Sequence, residues 1–294
     1  MRIFVIGATG VLGRVLMPRL QQAHHDIRTL VRSSEQAQRL QAVGIEATVG
    51  ELLQAETQQR LPELIKGCEA VIHIATAIPS NPYDLSAGNW ETTTRLRTEG
   101  TRHLLASSLQ AGAARYIQQS ITMAYTDGGD AWLDEDQPFD TSLARAAICG
   151  PIVEMERMVR AVPAGRLQWS ILRGGLFVGP GTGQEKLLER LRAGQVEIPG
   201  QGQNFLSPIH VADMAEAIAL TLEHASGGSI YHIVDQPLRY GDYITGLADR
   251  LHLSYPPYNA SLPEAPSYRC GNQHAREQLG WQPQHTIWPG SPSW

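Results

Sequence analysis

The first thirteen residues, MRIFVIGATGVLG, constrain the fold more than any other stretch of the chain. Residues 1–6 form a short apolar run with β-branched and aromatic side chains, which is typical of a buried strand. Gly7, Gly10 and Gly13 follow, and residues 11–20 favour a helix. Such glycines permit a tight turn, the close approach of a pyrophosphate and close strand–helix packing, and the helix N-terminus offers N–H groups to an anion. The sequence therefore predicts a dinucleotide-binding turn; a glycine-rich turn that binds nothing is the alternative.

Strand-like and helix-like segments alternate through the first 174 residues, which is typical of a doubly wound parallel sheet, the α/β Rossmann class. After the first strand and helix, a polar helix ends near Val43, and residues 75–88 and 127–139 favour loops. The other predicted strands cover residues 26–31, 45–49, 70–74, 116–120 and 169–173, and the other predicted helices cover residues 54–66, 90–112 and 153–161.

The character of the sequence changes at Gly174, where loop-like and Pro-rich segments become frequent. Residues 230–234 favour one more strand, which is predicted to rejoin the main sheet. We predict a dinucleotide-binding domain from residues 1–174, with 210–234 returning to it, and a small discontinuous substrate lobe from 175–209 and 235–294. A small-molecule ligand is expected in the cleft between them. Helices are predicted at residues 185–193, 211–223, 240–251 and 273–279.

Composition excludes several classes of protein. The net charge is −5 and no basic cluster is present, which argues against a nucleic-acid surface. No apolar run approaches the roughly 20 residues needed to cross a bilayer, and the N-terminus lacks signal-peptide features. Cys68, Cys149 and Cys270 are too few and too scattered for a disulfide framework or a metal site. We expect a cytoplasmic protein without metal, nucleic-acid or membrane partners.

Six segments, in order along nearly the whole chain, resemble motifs of the extended short-chain dehydrogenase/reductase family, also called the NAD-dependent epimerase/dehydratase family. They are GATGVLG at 7–13, GEL at 50–52, VIHIATAI at 71–78, LRGGLFVGPGTG at 172–183, IHVADMAEAI at 209–218 and GWQPQHTIWPGS at 280–291. The resemblance implies a bound nicotinamide dinucleotide. Together with the end of the second strand, it places the cofactor contacts on Gly7, Thr9, Gly10, Val11, Leu12, Gly13, Arg32, Ser33, Glu51, Leu52, Ala75, Thr76, Ala77, Ser120, Arg173 and Gly174.

The catalytic positions of the family are altered in this chain. Members use a Tyr-x-x-x-Lys pair, a Ser or Thr and a supporting Asn, and the lysine lowers the pKa of the tyrosine that exchanges a proton with the substrate. Alignment of the motifs puts Ile148, Ile152, Ile121 and Arg97 at these four positions, and no other Tyr-x-x-x-Lys occurs in the chain. The resemblance therefore implies the fold and the cofactor site without the usual proton relay.

Two residues beyond the predicted fifth strand are candidates for a substituted relay. Tyr125 is a candidate proton donor and Thr122 a candidate for bonding a substrate oxygen, because open α/β sheets place their sites at this edge. The alternative, which we favour for Tyr125, is packing in a pocket wall. Arg97 is a candidate contact for the cofactor phosphates or for an anionic substrate. Tyr83 and Asp84, on a proline-containing loop, are weaker candidates for substrate contact.

The end of the second strand bears on the choice of cofactor. NAD sites carry Asp or Glu there to bind the ribose hydroxyls, whereas this chain has Val31 followed by Arg32, Ser33 and Ser34. A guanidinium and two hydroxyls can hold a 2′-phosphate, which a carboxylate would repel. We therefore predict NADP(H) rather than NAD(H). A solvated Arg32 at a strand end is the alternative.

Three functions are compatible with an intact cofactor turn and altered catalytic positions. The first is a non-standard oxidoreductase acting on a small molecule, with the proton supplied by water, Tyr125 or the substrate. The second is a non-catalytic dinucleotide sensor, similar to NmrA-like regulators. The third is a cofactor-independent isomerase or cyclase. A homodimer through the helices at 90–112 and 153–161 is implied only by analogy with relatives.

Overall fold

The computed structural model describes residues 1–78 and 87–290. Tyr83 and Asp84 and most of the predicted loop at 75–88 lie outside these residues. The strands are β1 (Arg2–Ile6), β2 (Asp26–Val31), β3 (Glu46–Val49), β4 (Ala70–His73), β5 (Arg115–Ile121), β6 (Trp132–Leu133), β7 (Gln168–Gly174), β8 (Leu176–Val178), β9 (Ile198–Pro199), β10 (Phe205–Leu206), β11 (Pro208–His210), β12 (Ser229–Ile233), β13 (Leu238–Arg239), β14 (Tyr258–Asn259) and β15 (Arg269–Cys270).

The helices confirm most of the predicted segments to within a few residues. They are α1 (Val11–Gln22), α2 (Ser34–Gln41), α3 (Ala55–Ile65), α4 (Ala87–Arg95), α5 (Thr101–Ala111), α6 (Ala146–Arg160), α7 (Gly183–Arg192), α8 (Val211–His224), α9 (Tyr240–Arg250) and α10 (Gln273–Leu279). A π-helical turn, Leu96–Gly100, joins α4 to α5.

Seven strands form one parallel sheet in the order β12-β7-β5-β4-β1-β2-β3. β1 lies between β4 and β2, where Ile6 is opposite His73 on one side and Leu30 on the other. Because parallel strands end at one edge of a sheet, this register brings the turn after β1 level with the ends of β2 and β4. The predicted doubly wound sheet is confirmed, and so is the return of a strand near residues 230–234.

The chain groups into two compact units. The first, from residues 1–120, 140–172 and 218–230, has an apolar core that includes Leu61, Val71 and Tyr116. The second comprises residues 121–139, 173–217 and 231–294. One of its apolar clusters contains Ile198, Tyr243 and Leu247, and another contains Tyr125, Leu133, Tyr268 and Cys270.

These units divide the chain differently from the predicted domains. The prediction assigns every residue up to Gly174 to the dinucleotide-binding domain, whereas residues 121–139 group with the second unit. Tyr125 and Leu133 pack there with Tyr268 and Cys270, which lie more than a hundred residues away in the chain. Such long-range packing leaves no local pattern in the sequence.

Two predicted helices differ from the structure. The helix predicted at 153–161 begins at Ala146, because burial of Cys149, Pro151 and Ile152 outweighs the helix-breaking tendency of Gly150 and Pro151. The helix predicted at 90–112 is interrupted by the π-helical turn. The predicted loop at 127–139 contains the short strand β6.

Candidate functional site

The turn after β1 has the geometry that its glycines predict. Gly7 has φ +107°, and a Cβ atom there would lie 2.8 Å from the backbone N of Ala75. At Gly13 a Cβ atom would lie 2.2 Å from the Gly7 carbonyl oxygen, so any side chain would push α1 away from β1. The turn is closed by the Gly10 N–H, which donates to the Gly7 carbonyl at 3.0 Å.

The N-terminus of α1 is open toward a ligand. Gly10 is the N-cap residue and has no side chain with which to cap the helix. A Cβ atom at Gly10 would meet only the Gly7 carbonyl, at 3.3 Å. The first N–H groups of α1 therefore have no side-chain acceptor on the cap residue. They lie at the positive end of the helix dipole. These features fit a pyrophosphate, which is the group that links the two halves of a dinucleotide.

The end of β2 carries a cation in place of a carboxylate. Val31 is buried, and its carbonyl accepts a hydrogen bond from the N–H of Gly50 at 2.8 Å. The side chain of Arg32 is exposed, and its backbone N–H donates to Gln36 Oε1 at 3.1 Å. Ser33 caps α2, with its hydroxyl accepting from the Gln36 N–H at 3.3 Å. Arg32 and Ser33 thus stand where a ribose 2′-substituent is read in this type of site.

A groove of about 360 Å³ lies between α1 and α2. Its floor is apolar, and Arg14 and Arg39 line it together with polar side chains. Arg14 Nε donates to the Thr9 carbonyl at 3.1 Å, which holds this guanidinium beside the glycine turn. The lining residues are Ala8, Thr9, Arg14, Met17, Pro18, Gln21, Gln36, Arg39, Leu40, Val43 and Ile45.

The other predicted cofactor residues differ in their availability. Glu51 is exposed, whereas Leu52 is buried against Gly100, where a Cβ atom would lie 2.9 Å from the leucine. Ser120 is buried and donates to Glu156 Oε1 at 2.6 Å. Ala77 donates its N–H to Thr93 Oγ1 at 3.2 Å. Arg173 and Gly174 belong to the second unit, where the Arg173 guanidinium binds protein partners.

Three of the four positions that the sequence motifs predict to be catalytic have aliphatic side chains. Ile148 and Ile152 lie on α6, the first half-buried and the second wholly buried. Ile121 ends β5 and is half-buried. An aliphatic side chain cannot exchange a proton, so a reaction at this helix needs a proton from elsewhere or needs none.

Tyr125 is wholly buried within the second unit, and its hydroxyl has two partners. His232 Nδ1 lies 3.0 Å from the Gly271 carbonyl and therefore carries the ring proton, which leaves Nε2 to accept from the Tyr125 hydroxyl at 2.5 Å. Arg173 Nη1 donates to the same hydroxyl at 2.5 Å. Burial lowers the pKa of His232, which keeps this ring neutral.

The surroundings of Tyr125 support the packing interpretation. Its ring stacks on Phe139, with centroids 5.3 Å apart, and its hydroxyl is satisfied on both sides. Thr122, three residues before Tyr125 in the sequence, is also buried. Its hydroxyl makes a long 3.5 Å contact with the Gly174 carbonyl. Sequence reasoning missed His232 as the partner of Tyr125, because the two residues are 107 positions apart.

A second buried polar network lies in the first unit, at the ends of β4 and β5. Gln118 donates from Nε2 to the His73 carbonyl at 3.4 Å and to the Gln119 carbonyl at 3.0 Å, which fixes the orientation of its amide. Its Oε1 therefore accepts from His73 Nδ1 at 3.0 Å and from the Tyr116 hydroxyl at 3.0 Å. Burial lowers the pKa of His73 to about 4, so the ring is neutral. His73 is a core residue.

Arg97 is the unusual residue of the same unit. It lies on the π-helical turn, is 5% exposed, and makes no hydrogen bond or ion pair with any residue in 1–78 or 87–290. Single π-helical turns are frequent at functional sites. The sequence identified Arg97 as a candidate anion contact but gave no sign that its guanidinium would lack a protein partner.

Two features that the described residues lack bear on the class of site. Among the described residues, no group of three or more His, Cys, Asp or Glu side chains could hold a metal ion. No helix within the described ranges is long and apolar enough to span a membrane.

Comparison with known proteins identifies the family. The family model for the NAD dependent epimerase/dehydratase family matches residues 3–234. The "3-diazoavenalumate denitrifying reductase" of a Streptomyces species is 31% identical, covering 98% of this chain and 98% of that protein. The "4-hydroxy-2-methyl-3-oxo-4-farnesyl-3,4-dihydroquinoline-1-oxide ketoreductase" of Stigmatella aurantiaca is 27% identical, covering 85% of this chain and 73% of that protein.

A solved structure shows the same fold. The dTDP-glucose 4,6-dehydratase DesIV of Streptomyces venezuelae, solved with NAD, has a TM-score of 0.80 at 21% identity and covers 98% of this chain and 93% of its own. The glycine turn, the parallel sheet and the family match agree along most of the chain. The chain therefore belongs to the NAD-dependent epimerase/dehydratase family.

Proposed function

We propose that the protein is an NADPH-dependent reductase that acts on a small molecule whose reduction needs no proton from a Tyr–Lys pair. The observation that carries this proposal is the combination, within one unit, of a complete glycine turn and a helix α6 whose aligned positions are Ile148 and Ile152. When bound, the dinucleotide would supply a hydride. The chain's own residues would bind it and orient it.

The features around β1 and β2 support binding of the dinucleotide. Gly7 and Gly13 leave space that any Cβ atom would fill, and the uncapped N-terminus of α1 would receive the pyrophosphate. Arg32 and Ser33, with Arg14 at the edge of the adjoining groove, would receive a 2′-phosphate. A buried Val31, in place of a carboxylate, removes the group that would repel that phosphate.

Helix α6 carries no Tyr–Lys pair, so we favour an acceptor whose reduction does not need a proton from such a pair. Reduction of a ketone creates an alkoxide that must be protonated. An aryl diazonium cation instead accepts a hydride at nitrogen to give a neutral aryl diazene, which loses dinitrogen while its N–H hydrogen passes to the aryl carbon, directly or by exchange with water. The second reaction consumes one hydride and no net proton. The name of the Streptomyces relative specifies a diazo substrate and loss of nitrogen. We therefore favour an acceptor of this class, with water as the proton source if the acceptor is a ketone.

The test is reduction of two acceptors under the same conditions, with consumption of NADPH and NADH followed by absorbance. An aryl diazonium carboxylate should be reduced with release of one dinitrogen for each NADPH consumed, and an aryl ketone should be reduced far more slowly. Dinucleotide binding without reduction of either acceptor would contradict the reductase and favour the sensor. Absence of dinucleotide binding would contradict both.

A variant at the turn checks that the dinucleotide binds there. Gly10→Asp places a favoured N-cap residue at the start of α1, so the fold should survive, but the carboxylate would stand where a phosphate is expected. Dinucleotide affinity should fall by about 10-fold or more, because like charges in contact cost several kcal/mol. Gly165→Asp is the matched control, since a Cβ atom there meets nothing within 4 Å. Equal affinity in both variants would place the dinucleotide elsewhere.

A further inference from the structure

We propose that Arg97 is the receptor for a carboxylate on the small-molecule substrate. This inference rests on the proposed function, because it concerns the molecule that is reduced. The supporting observation is the environment of the Arg97 guanidinium. This group lies on the π-helical turn and is 5% exposed. The described residues of the first unit give it neither a hydrogen-bond partner nor a counter-ion.

The burial of Arg97 is unfavourable unless something pairs with it. Its Nη1 atom is enclosed and has no hydrogen-bond acceptor within residues 1–78 and 87–290. Burial lowers the pKa of Arg97 to about 10, which still leaves the guanidinium charged at neutral pH. An isolated buried charge is strongly disfavoured in proteins, and the exceptions are generally ligand or catalytic sites.

The acidic residues nearby in the chain are committed elsewhere. Glu91 on α4 is exposed to solvent, and four other carboxylates on the π-helical turn, on α6 or just before it have partners other than Arg97. These pairs are Glu99 with Arg95, Asp140 with Arg145, Glu154 with Arg157, and Glu156 with Ser120. No carboxylate of residues 1–78 or 87–290 is thus available to Arg97, and we infer that a bound molecule supplies the negative charge.

Two titratable groups that interact with Arg97 are neutral, which limits the charge of that molecule. The neighbour whose charge acts on Arg97 is the thiol of Cys149 on α6, and burial raises the pKa of this thiol, so it stays protonated. His73 is also close enough for the guanidinium to lower its pKa, and it is neutral. Arg145 and Asp140 also act on Cys149, but they pair with each other at 3.8 Å. The unpaired charge of Arg97 therefore matches a monoanion such as a carboxylate.

His73 offers a complementary acceptor. Because Nδ1 donates to Gln118, Nε2 carries a lone pair, and this buried atom has no partner in the described parts of the chain. Among the described residues, Arg97 thus presents an unpaired donor and His73 an unpaired acceptor within the first unit. A substrate that carries a carboxylate and a nearby hydroxyl would satisfy both atoms.

The pyrophosphate of the dinucleotide is a less suitable occupant. The uncapped N-terminus of α1 already provides N–H groups for it, next to Gly7 and Gly10. The experiment must nevertheless separate a carboxylate from a phosphate, because a guanidinium binds either.

The experiment measures thermal stability and binding for the wild type, Arg97→Met and Arg102→Met. Formate, acetate and benzoate are the anionic probes, formamide, acetamide and benzamide are their neutral isosteres, and ionic strength is held constant with chloride. Each protein is first saturated with NADP⁺. Arg102 is exposed on the next helical turn, so its substitution removes the same charge from the surface.

We expect the wild type and Arg102→Met to bind at least one carboxylate about 10-fold or more tightly than its amide, and Arg97→Met to lose this preference. Arg97→Met should melt no lower than the wild type without ligand, because it replaces an unpaired buried charge. Its affinity for NADP⁺ should change by less than about 3-fold. Arg97→Lys, which keeps the charge, should retain part of the preference.

Two results would overturn the inference. If no carboxylate binds the wild type more tightly than Arg97→Met, Arg97 is not its receptor. If Arg97→Met loses NADP⁺ affinity by 10-fold or more, the occupant is a cofactor phosphate. Reduction of an acceptor without a carboxylate, measured in wild type and Arg102→Met, tests the proposed reductase separately, because that reaction involves neither the surface Arg102 nor a substrate carboxylate.

Discussion

Arg97 and Arg173 are both buried arginines, but their surroundings differ. Arg173 is 2% exposed, binds the Tyr125 hydroxyl and the Glu135 carbonyl, and stands 4.5 Å over the ring of Phe139. Arg97 is 5% exposed and has no protein partner among the described residues. Buried polar groups that are fully paired hold a fold together, whereas an unpaired one is retained for another reason. The difference separates a structural arginine from a candidate binding residue.

The largest expected effect comes from making the same substitution at both arginines. Arg173→Met removes a donor from Tyr125 and Glu135, and we expect it to lower the free energy of unfolding by about 3 kcal/mol. Arg97→Met should leave this free energy unchanged or raise it by about 1 kcal/mol, because it removes a buried charge that has no partner. Urea unfolding of the two variants measures both values. If Arg97→Met is the more destabilising variant, Arg97 is structural and the contrast fails.

Two of the buried histidines, His73 and His232, extend the contrast to pH. The pKa of His73 is lowered by burial to about 4 from an ordinary value near 6.5, so the unfolded chain takes up a proton first as the pH falls. The stability due to neutral His73 is therefore complete above about pH 6.5 and is lost progressively as the pH falls to about 4, by about 3 kcal/mol in total. Burial lowers the pKa of His232 as well, with the same sign.

His73→Gln tests the size of this contribution. The variant has no titrating group at position 73, so its free energy of unfolding should fall less steeply than that of the wild type between about pH 6.5 and 4.5. The remaining slope reports His232 and the other histidines. A slope equal to that of the wild type would mean that His73 does not stay neutral in the folded protein.

The third prediction concerns the hydroxyl of Tyr125. Tyr125→Phe leaves His232 Nε2 without a donor and removes an acceptor from Arg173, which should cost about 1–2 kcal/mol of stability. If Tyr125 only packs, the rate of NADPH oxidation should stay within about 2-fold of the wild type. A fall of about 100-fold or more, with the protein folded, would make Tyr125 a proton donor and contradict the packing interpretation.

The sequence predicted the glycine turn well because each of its constraints is local. Gly7 must adopt a positive φ and Gly13 must lie against the backbone of β1, and both requirements appear as residue type and spacing. The strands of the parallel sheet were predictable for the same reason, as short apolar runs between helices. The beginning of α6 was not, because Gly150 and Pro151 act against a helix that burial of Cys149 and Ile152 maintains.

The polar partners could not be predicted, because they depend on contacts between distant segments. Tyr125 and His232 meet across 107 residues. Glu99 pairs with Arg95, four residues before it, through bonds of 2.9 and 3.0 Å, which is the spacing that local rules favour. These rules say nothing about the partner of Arg97. Only the structure shows that Arg97, unlike Arg95, is buried without a partner among the described residues. The sequence predicted that the usual catalytic residues are replaced. The burial of Arg97 in the structure then indicated the candidate binding residue.

The smallest expected effect is at Arg32, an exposed arginine that contrasts with both buried ones. Arg32→Ala should leave stability within about 0.5 kcal/mol of the wild type, because its side chain lies in solvent. It should weaken NADPH by about 10-fold, the loss of a charge-assisted contact with a 2′-phosphate, and weaken NADH by less than about 2-fold. Arg39→Ala is the control, since Arg39 lines the groove but pairs with Glu35. Titration of each variant with both dinucleotides measures the four affinities. Equal weakening of NADPH and NADH in Arg32→Ala would remove the basis for NADPH preference, because a residue that reads the 2′-phosphate must discriminate between the two.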